Sequence, residues 1–192
     1  MSASGLFKQI NYKKAYRINR LGAANWVLDN PETFEELLTY CFGADKELAT
    51  KATWALEFIA RKKLAVLYPY LDFFFTNLPK AEGHGAMRSA ALICELLCIE
   101  HFKKRSKILG NAFTEKHKEI MTECAFDWML TNQKVACQAR AMTSLYFLGT
   151  EQDWIHPELA QIIQQNLHQG SAGYKSRGQA TLDLILKFKS NR

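Results

Sequence analysis

The sequence predicts an all-α fold: a right-handed α-α superhelix, or solenoid, built from about four antiparallel helix pairs. Three observations support this prediction. Glycine and proline are scarce, at 10 and 4 of the 192 residues, and apolar residues recur at helical rather than alternating spacing. Residues 86–102 would be apolar on nearly every side of a helix, so other helices must cover both flanks. A pattern of polar and small residues also recurs along the chain.

Composition bounds the class of protein. The chain is 48% hydrophobic and long enough to bury one core or one continuous repeat array. Its beginning lacks the apolar core of a secretory signal, and no segment offers the ~20 uninterrupted apolar residues that span a bilayer. We therefore expect a soluble, cytoplasmic protein that does not contact a membrane.

The first 28 residues are basic, with five Lys and Arg and no acidic residue. We expect residues 1–28 to form a basic N-terminal arm that becomes helical around residues 19–28 and caps a single helical repeat domain over residues 29–192. A basic segment mixed with aromatic residues can contact phosphates, although solvated terminal lysines are commoner.

The first helix pair has clear start signals. Asn30 is the expected N-cap, followed by Pro31 at the first helical position and Glu32 near the positive end of the helix dipole. This helix should end before Gly43. Asp45 should then cap an antiparallel helix over residues 45–62.

Three further pairs follow, again with apolar residues at helical spacing. Residues 103–110 are expected to be a basic connection between the second and third pairs. The predicted helices are, pair by pair, about 64–78 with 84–102, 114–130 with 133–148, and 156–167 with 174–188.

A short pattern recurs in the second helix of each pair. A long polar residue comes first, a small residue second and a mostly small residue fourth. These first residues lie 37, 50 and 39 positions apart, the period of two-helix units with an insertion between the second and third. They are Lys51, Arg88, Gln138 and Arg177. A residue at the turn, of helix-capping type in three cases, stands six positions before each: Asp45, Glu82, Asn132 and Ser171.

On these residues the sequence resembles the HEAT and armadillo repeat family, over about residues 31–188. HEAT repeats carry an Asp at the turn and a hydrophobic residue with an Arg at the start of the second helix. Residues 45–51 match this motif closely, residues 82–88 fairly well and residues 171–177 partly, whereas residues 132–138 have lost both charges. Such a degenerate motif supports a fold and says little about function.

The resemblance also offers an interpretation of the recurring basic residues. In such repeats the acid and the base tie neighbouring units together in a ladder. We favour that role for Lys51, Arg88 and Arg177 over contact with a ligand, because paired charges near a packed interface usually serve structure.

We expect the second helices to line the concave side of the superhelix and to bind a protein or a polyanion there, without catalysis and without a cofactor. The net charge of +6 and the pI near 9.0 suit a polyanion partner. The last helix, with five large apolar residues within positions 182–188, has more apolar surface than one face can bury, which favours a homodimer or a protein partner. The candidate binding residues are Lys51, His84, Arg88, Arg140, Lys175 and Arg177.

An enzymatic alternative stays open. HEAT-like DNA glycosylases that remove alkylated bases are also basic and all-helical, and they need a groove with an Asp and aromatic residues around the exposed nucleotide. No motif transfers those roles to this chain. The acid and Trp neighbours on its predicted helices are Trp54 with Glu57 and Trp128 with Asp127, and we expect each Trp in the core.

Other catalytic and metal motifs are missing from the sequence, which has no Gly-rich phosphate loop, GxSxG, HExxH or CxxC pair. Cys94, Cys98 and His101 would share a helix face and could hold zinc with a fourth ligand, but we interpret them as core and boundary residues and predict no metal. Residues 170–177 slightly resemble the signature loop of the fumarase, aspartase and adenylosuccinate lyase superfamily. They lack its Met-Pro pair, so we expect no lyase activity.

Overall fold

The fold is a packed array of helices. The structure, a computed structural model, describes residues 5–131 and 133–191, and this part of the chain contains eleven α-helices and no strand. In chain order they are α1 (Gly5–Ile10), α2 (Arg17–Asp29), α3 (Phe34–Cys41), α4 (Lys46–Lys63), α5 (Leu71–Asn77), α6 (His84–Cys98), α7 (Lys107–Ala112), α8 (Glu115–Leu130), α9 (Val135–Leu148), α10 (Ile155–Leu167) and α11 (Ala172–Ser190).

The central helix is enclosed by its neighbours. Helix α6 packs between α4 and α9, and α9 packs in turn against α11. Ala90, Ala91, Ile93 and Cys94 are almost completely buried, so the prediction of a helix covered on both flanks is confirmed. Small side chains at Ala90 and Ala91 let the neighbouring helix backbones come close.

The remaining helices flank this row. Helix α3 packs on α4, α8 on α9, and α10 on both α11 and α9, while α5 packs on α8. These contacts place the first helix of three predicted pairs against its own second helix. In the row α4, α6, α9, α11, three of the four helices therefore pack against the first helix of their own predicted pair.

The N-terminal segment is more helical than the sequence indicates. Helix α2 begins at Arg17, and α1 precedes it. Both pack against α4. Leu6 and Ile10 of α1 are fully buried in the core, so hydrophobic burial fixes this short helix in place.

Two predicted regions differ in backbone form. The second pair's first helix is divided into a 3₁₀ segment at Leu64–Tyr70, α5, and a 3₁₀ turn at Leu78–Lys80. Pro69 lies inside the first 3₁₀ segment, where its missing N–H removes a helical hydrogen bond. Helix α6 passes into a π-helical turn, Ile99–Lys103, and the expected basic connection contains α7.

Two predicted helix caps are confirmed. The Asp45 carboxylate accepts hydrogen bonds from the backbone N–H groups of Glu47 and Leu48, both at 3.0 Å, at the start of α4. The Ser171 hydroxyl accepts from the Tyr174 N–H at 3.3 Å at the start of α11. Both side chains satisfy N–H groups that have no partner inside the helix.

Two others differ in detail. Asn30 stands at the predicted N-cap position, before the 3₁₀ turn Pro31–Thr33, but its side-chain amide donates to the Trp26 carbonyl at 2.8 Å and makes no capping hydrogen bond. Gly83, not Glu82, is the N-cap of α6, with a φ of 81° that glycine adopts without strain. Glu82 instead pairs with Lys46 at 2.6 Å. The expected cap Asn132 lies outside the described residues.

Candidate binding face

The helices α4, α6, α9 and α11 pack side by side in that order. We call the surface formed by the polar residues of these four helices the second-helix face. Every candidate residue from the sequence belongs to one of these four helices. What each residue can bind depends on whether its side chain already forms an ion pair or a hydrogen bond within the protein.

Glu57 joins α4 to α6. It is buried, and its Oε2 atom lies 3.4 Å from the Arg88 guanidinium and accepts a hydrogen bond from the Ser89 hydroxyl at 2.5 Å. Its Oε1 atom accepts from Arg61 Nε at 3.2 Å and Nη2 at 3.1 Å. The buried carboxylate is thus paired and hydrogen-bonded on both oxygens, as a buried charge requires.

Arg140 repeats this arrangement at the next helix contact. It lies on α9 and forms an ion pair with Glu95 on α6. The Arg140 and Glu95 side chains are 27% and 12% exposed, respectively. This pair was not foreseen, because the recurring pattern marks Gln138, not Arg140, as the ladder position.

Arg177 completes the series. Its Nη1 atom donates to the Thr143 hydroxyl at 3.1 Å, which links α11 to α9. We call the contacts Glu57–Arg88, Glu95–Arg140 and Thr143–Arg177 the inter-helix ladder. Arg88 forms the acid–base link between neighbouring units that the ladder interpretation expects, whereas Arg177 contacts the Thr143 hydroxyl and forms no pair with an acid in the described part of the chain.

The other candidate residues have different surroundings. Lys51 is buried, lies 2.6 Å from Glu47 of its own helix and sits over the Tyr12 ring at 5.4 Å, so it is not a ladder residue. The exposed His84 ring lies 3.3 Å from the Gln133 side chain. Lys175 is exposed on the first turn of α11.

The acid and tryptophan pairs are also placed. Trp54 is half-buried beneath the Arg20 guanidinium, which lies 5.0 Å from its ring centre. Trp128 is buried in the core, as expected. Glu57, one turn from Trp54, is the carboxylate already held by arginines, so the pair does not present a free acid beside an open aromatic surface.

A cluster of charged residues that the sequence did not reveal lies between α8 and the turn after α9. The buried Lys118 ammonium lies 2.9 Å from Glu115 and 2.6 Å from Glu151. Burial acts to lower the pKa of Lys118, but the hydrogen bonds that the ammonium donates to the two carboxylates, together with their charges, outweigh it and raise the pKa. His101 Nε2 approaches Glu151 at 3.9 Å, and burial together with the Lys118 charge lowers the His101 pKa.

The cysteines are core residues. All five are free and buried. Burial raises the pKa of the thiols of Cys41, Cys98, Cys124 and Cys137 to about 12, which disfavours the thiolate that reacts or binds metal. In the described part of the chain, no group of three or more His, Cys, Asp and Glu residues is arranged to hold a metal ion.

Residues 170–177, which slightly resemble a lyase signature, form the turn before α11 and its first helical residues. The Ser171 hydroxyl is engaged there as a helix cap. This placement accounts for the serine by local structure.

Comparison with known proteins adds no relative. No protein-family model, no curated protein and no solved structure matches this chain. Within the residues described, no helix combines the length and apolar character needed to cross a membrane.

Proposed function

We propose that this chain is a non-catalytic binding module that uses the second-helix face to bind a partner, and that its helix pairs stack as a right-handed superhelix of the HEAT or armadillo type. The observation that carries the proposal is the inter-helix ladder. It crosses each successive contact from α4 to α11, so it holds four helices in fixed register as one continuous surface. Preorganised surfaces of this kind lower the entropic cost of binding.

The charges on the face favour a protein partner over a polyanion. Lys51, Arg88 and Arg140 are each paired with a carboxylate. Of the six candidate residues, Lys175 and Arg177 are the exposed side chains with a permanent positive charge that form no ion pair in the part of the chain described. Two such charges supply little of the counterion release that drives binding to nucleic acid.

The DNA glycosylase alternative has one observation in its favour, the Glu57 carboxylate one helical turn from Trp54. However, an acid that stabilises a departing cationic base must carry a negative charge that neighbouring cations do not already neutralise. Glu57 already accepts hydrogen bonds from Arg61 and Ser89 and lies 3.4 Å from Arg88. We therefore rank this function below partner binding.

A site-specific cross-linking experiment tests the main proposal. Lys175 is replaced by a photo-crosslinking amino acid on the second-helix face, and Lys116, exposed on α8, is replaced in a control protein. We expect one defined protein adduct in cells from position 175 and none from position 116. Equal cross-linking from both positions, or none from position 175, contradicts the proposal.

A DNA titration tests the two alternatives. The logarithm of the association constant for duplex DNA should fall linearly with the logarithm of the salt concentration, with a slope of ~0.9 per phosphate neutralised. If DNA is the ligand, Lys175→Glu with Arg177→Glu flattens that slope, whereas Lys187→Glu with Lys189→Glu, at the far end of α11, does not. Absence of binding at ~50 mM salt excludes duplex DNA as the ligand and, with it, the glycosylase. If DNA does bind, an assay for release of alkylated bases distinguishes a non-catalytic DNA-binding module from a glycosylase.

A further inference from the structure

A cleft of about 360 Å³ lies between α8 and the segment that joins α9 to α10. Its wall includes Phe126 and Asp127 of α8, and its rim includes Gln152 and Trp154. None of these residues belongs to the four helices of the second-helix face. The cleft is therefore a separate surface with no role in the function proposed above.

The cleft has an aromatic platform. Trp154 is 54% exposed, and its ring stacks on Phe126 at a centroid distance of 5.6 Å and an interplanar angle of 23°. Its indole N–H donates to the Gln152 side chain at 3.1 Å. The stack and the hydrogen bond hold a large apolar ring against water, where it loses the free energy that burial would give. Tryptophan is enriched among the residues that dominate protein interfaces.

Beside this platform runs a row of carboxylates. Glu119, Glu123 and Asp127 follow one another at four-residue intervals, all three line the cleft, and all three are exposed. None of the ion pairs in the described part of the chain uses them. Like charges at this helical spacing repel each other, and here they do so on a chain whose net charge is +6.

We propose that this cleft binds an arginine side chain of a partner protein. A guanidinium group is planar and weakly hydrated, so it can stack on the exposed face of Trp154. Its N–H groups can donate at the same time to the carboxylates of Glu123 and Asp127, in charge-assisted hydrogen bonds. Such a ligand complements both features of the cleft, because it covers the exposed Trp154 ring and neutralises the row of carboxylates. Lysine offers the charge without the flat surface.

Peptide binding to the full chain tests this site by calorimetry. The probe is acetyl-tetraarginine amide, and its neutral control is acetyl-tetracitrulline amide, which keeps the shape and loses the charge. We expect saturable binding of the arginine peptide at one site, none of the citrulline peptide, and binding of acetyl-tetralysine amide weakened several-fold. Equal affinity for the lysine and arginine peptides overturns the assignment to a guanidinium.

Two matched sets of variants locate the binding. Trp154→Ala and the triple variant Glu119→Gln, Glu123→Gln, Asp127→Asn should each weaken the arginine peptide by roughly tenfold or more. The control triple variant Asp29→Asn, Glu32→Gln, Glu35→Gln removes three exposed acids near the other end of the chain and should change affinity less than about twofold.

These positions are all exposed, and circular dichroism checks that each variant stays folded. Wild-type affinity in Trp154→Ala, or an equal loss in both triple variants, would show general attraction to acidic surface and overturn the site.

Discussion

Arg140 on α9 forms an ion pair with Glu95 on α6, and the two side chains lie at the contact between those helices. Removing either partner leaves the other charge largely desolvated, so we expect Glu95→Ala and Arg140→Ala each to destabilise the fold by about 1–3 kcal/mol. Urea unfolding of both single variants and the double variant measures their coupling, which we expect to be about 1 kcal/mol. Arg177→Ala is the control, because its contact with the uncharged Thr143 hydroxyl is exposed to water and should contribute less than about 1 kcal/mol. Additive single losses would show that the pair is not coupled.

Ala91 lies fully buried on α6, which packs between α4 and α9. Ala91→Arg would bury an unpaired charge at a close helix contact, and we expect a loss of several kcal/mol, on the order of 3–5 or unfolding outright. Ala180→Arg on α11 makes the same change at an exposed helical position and should shift stability by less than about 0.5 kcal/mol. Thermal unfolding compares the two. An unchanged melting temperature for Ala91→Arg would contradict the placement of α6.

The position of α6 could be predicted because burial on both flanks leaves a direct trace in the sequence: an apolar residue at nearly every position. Arg140 with Glu95 and the buried Lys118 leave no such trace. Lys118 lies in a stretch of alternating charges that is typical of a solvated helix face, and its partner Glu151 comes from a distant turn. Which charges meet depends on how helices dock, and helical periodicity does not encode that information. The cleft at Trp154 was missed for the same reason.

Gly149 ends α9 against the His156 ring. A Cβ atom at position 149 would lie 2.6 Å from His156 Nε2, which itself donates to the Tyr146 carbonyl at 2.8 Å. We expect Gly149→Ala to displace the ring and destabilise the fold by about 1–3 kcal/mol. Gly22→Ala is the matched control, because nothing lies within 4 Å of its Cβ position in α2, and alanine should stabilise that helix by about 0.5–1 kcal/mol. Urea unfolding should give opposite signs for the two variants, and the same sign would contradict this account.

His101 makes stability depend on pH. Burial and the Lys118 charge lower the pKa of His101 in the folded protein, whereas the unfolded chain keeps the ordinary value of ~6.5. The unfolded chain therefore binds the proton more tightly than the folded protein does. The contribution of His101 is therefore complete above about pH 6.5 and is lost as the pH falls through the folded pKa. We expect unfolding free energies at about pH 7.5 and pH 5 to differ less in His101→Gln than in the wild type. His168→Gln, at an exposed position, should keep the wild-type difference, and an equal difference in all three proteins would exclude His101 as the cause.

The end of α11 carries Leu184 and Leu186, which are 45% and 66% exposed. We predict weak self-association or partner binding through this end, because burying these side chains removes apolar surface from water. Leu184→Glu with Leu186→Glu should lower the average mass in concentrated solution, measured by light scattering. Ile18→Glu with Ile108→Glu, which alters two exposed isoleucines elsewhere, should not. A wild-type protein that is strictly monomeric at high concentration would count against this prediction.

The five buried cysteines can report local opening of the helices through the rates at which their thiols are labelled. Cys41 lies on α3, Cys94 and Cys98 on α6, Cys124 on α8 and Cys137 on α9, so a thiol reagent samples four helices in one experiment. With their thiols enclosed and protonated, each should react only when its helix opens. The order in which they become labelled would then rank the helices by local opening, without any engineered probe.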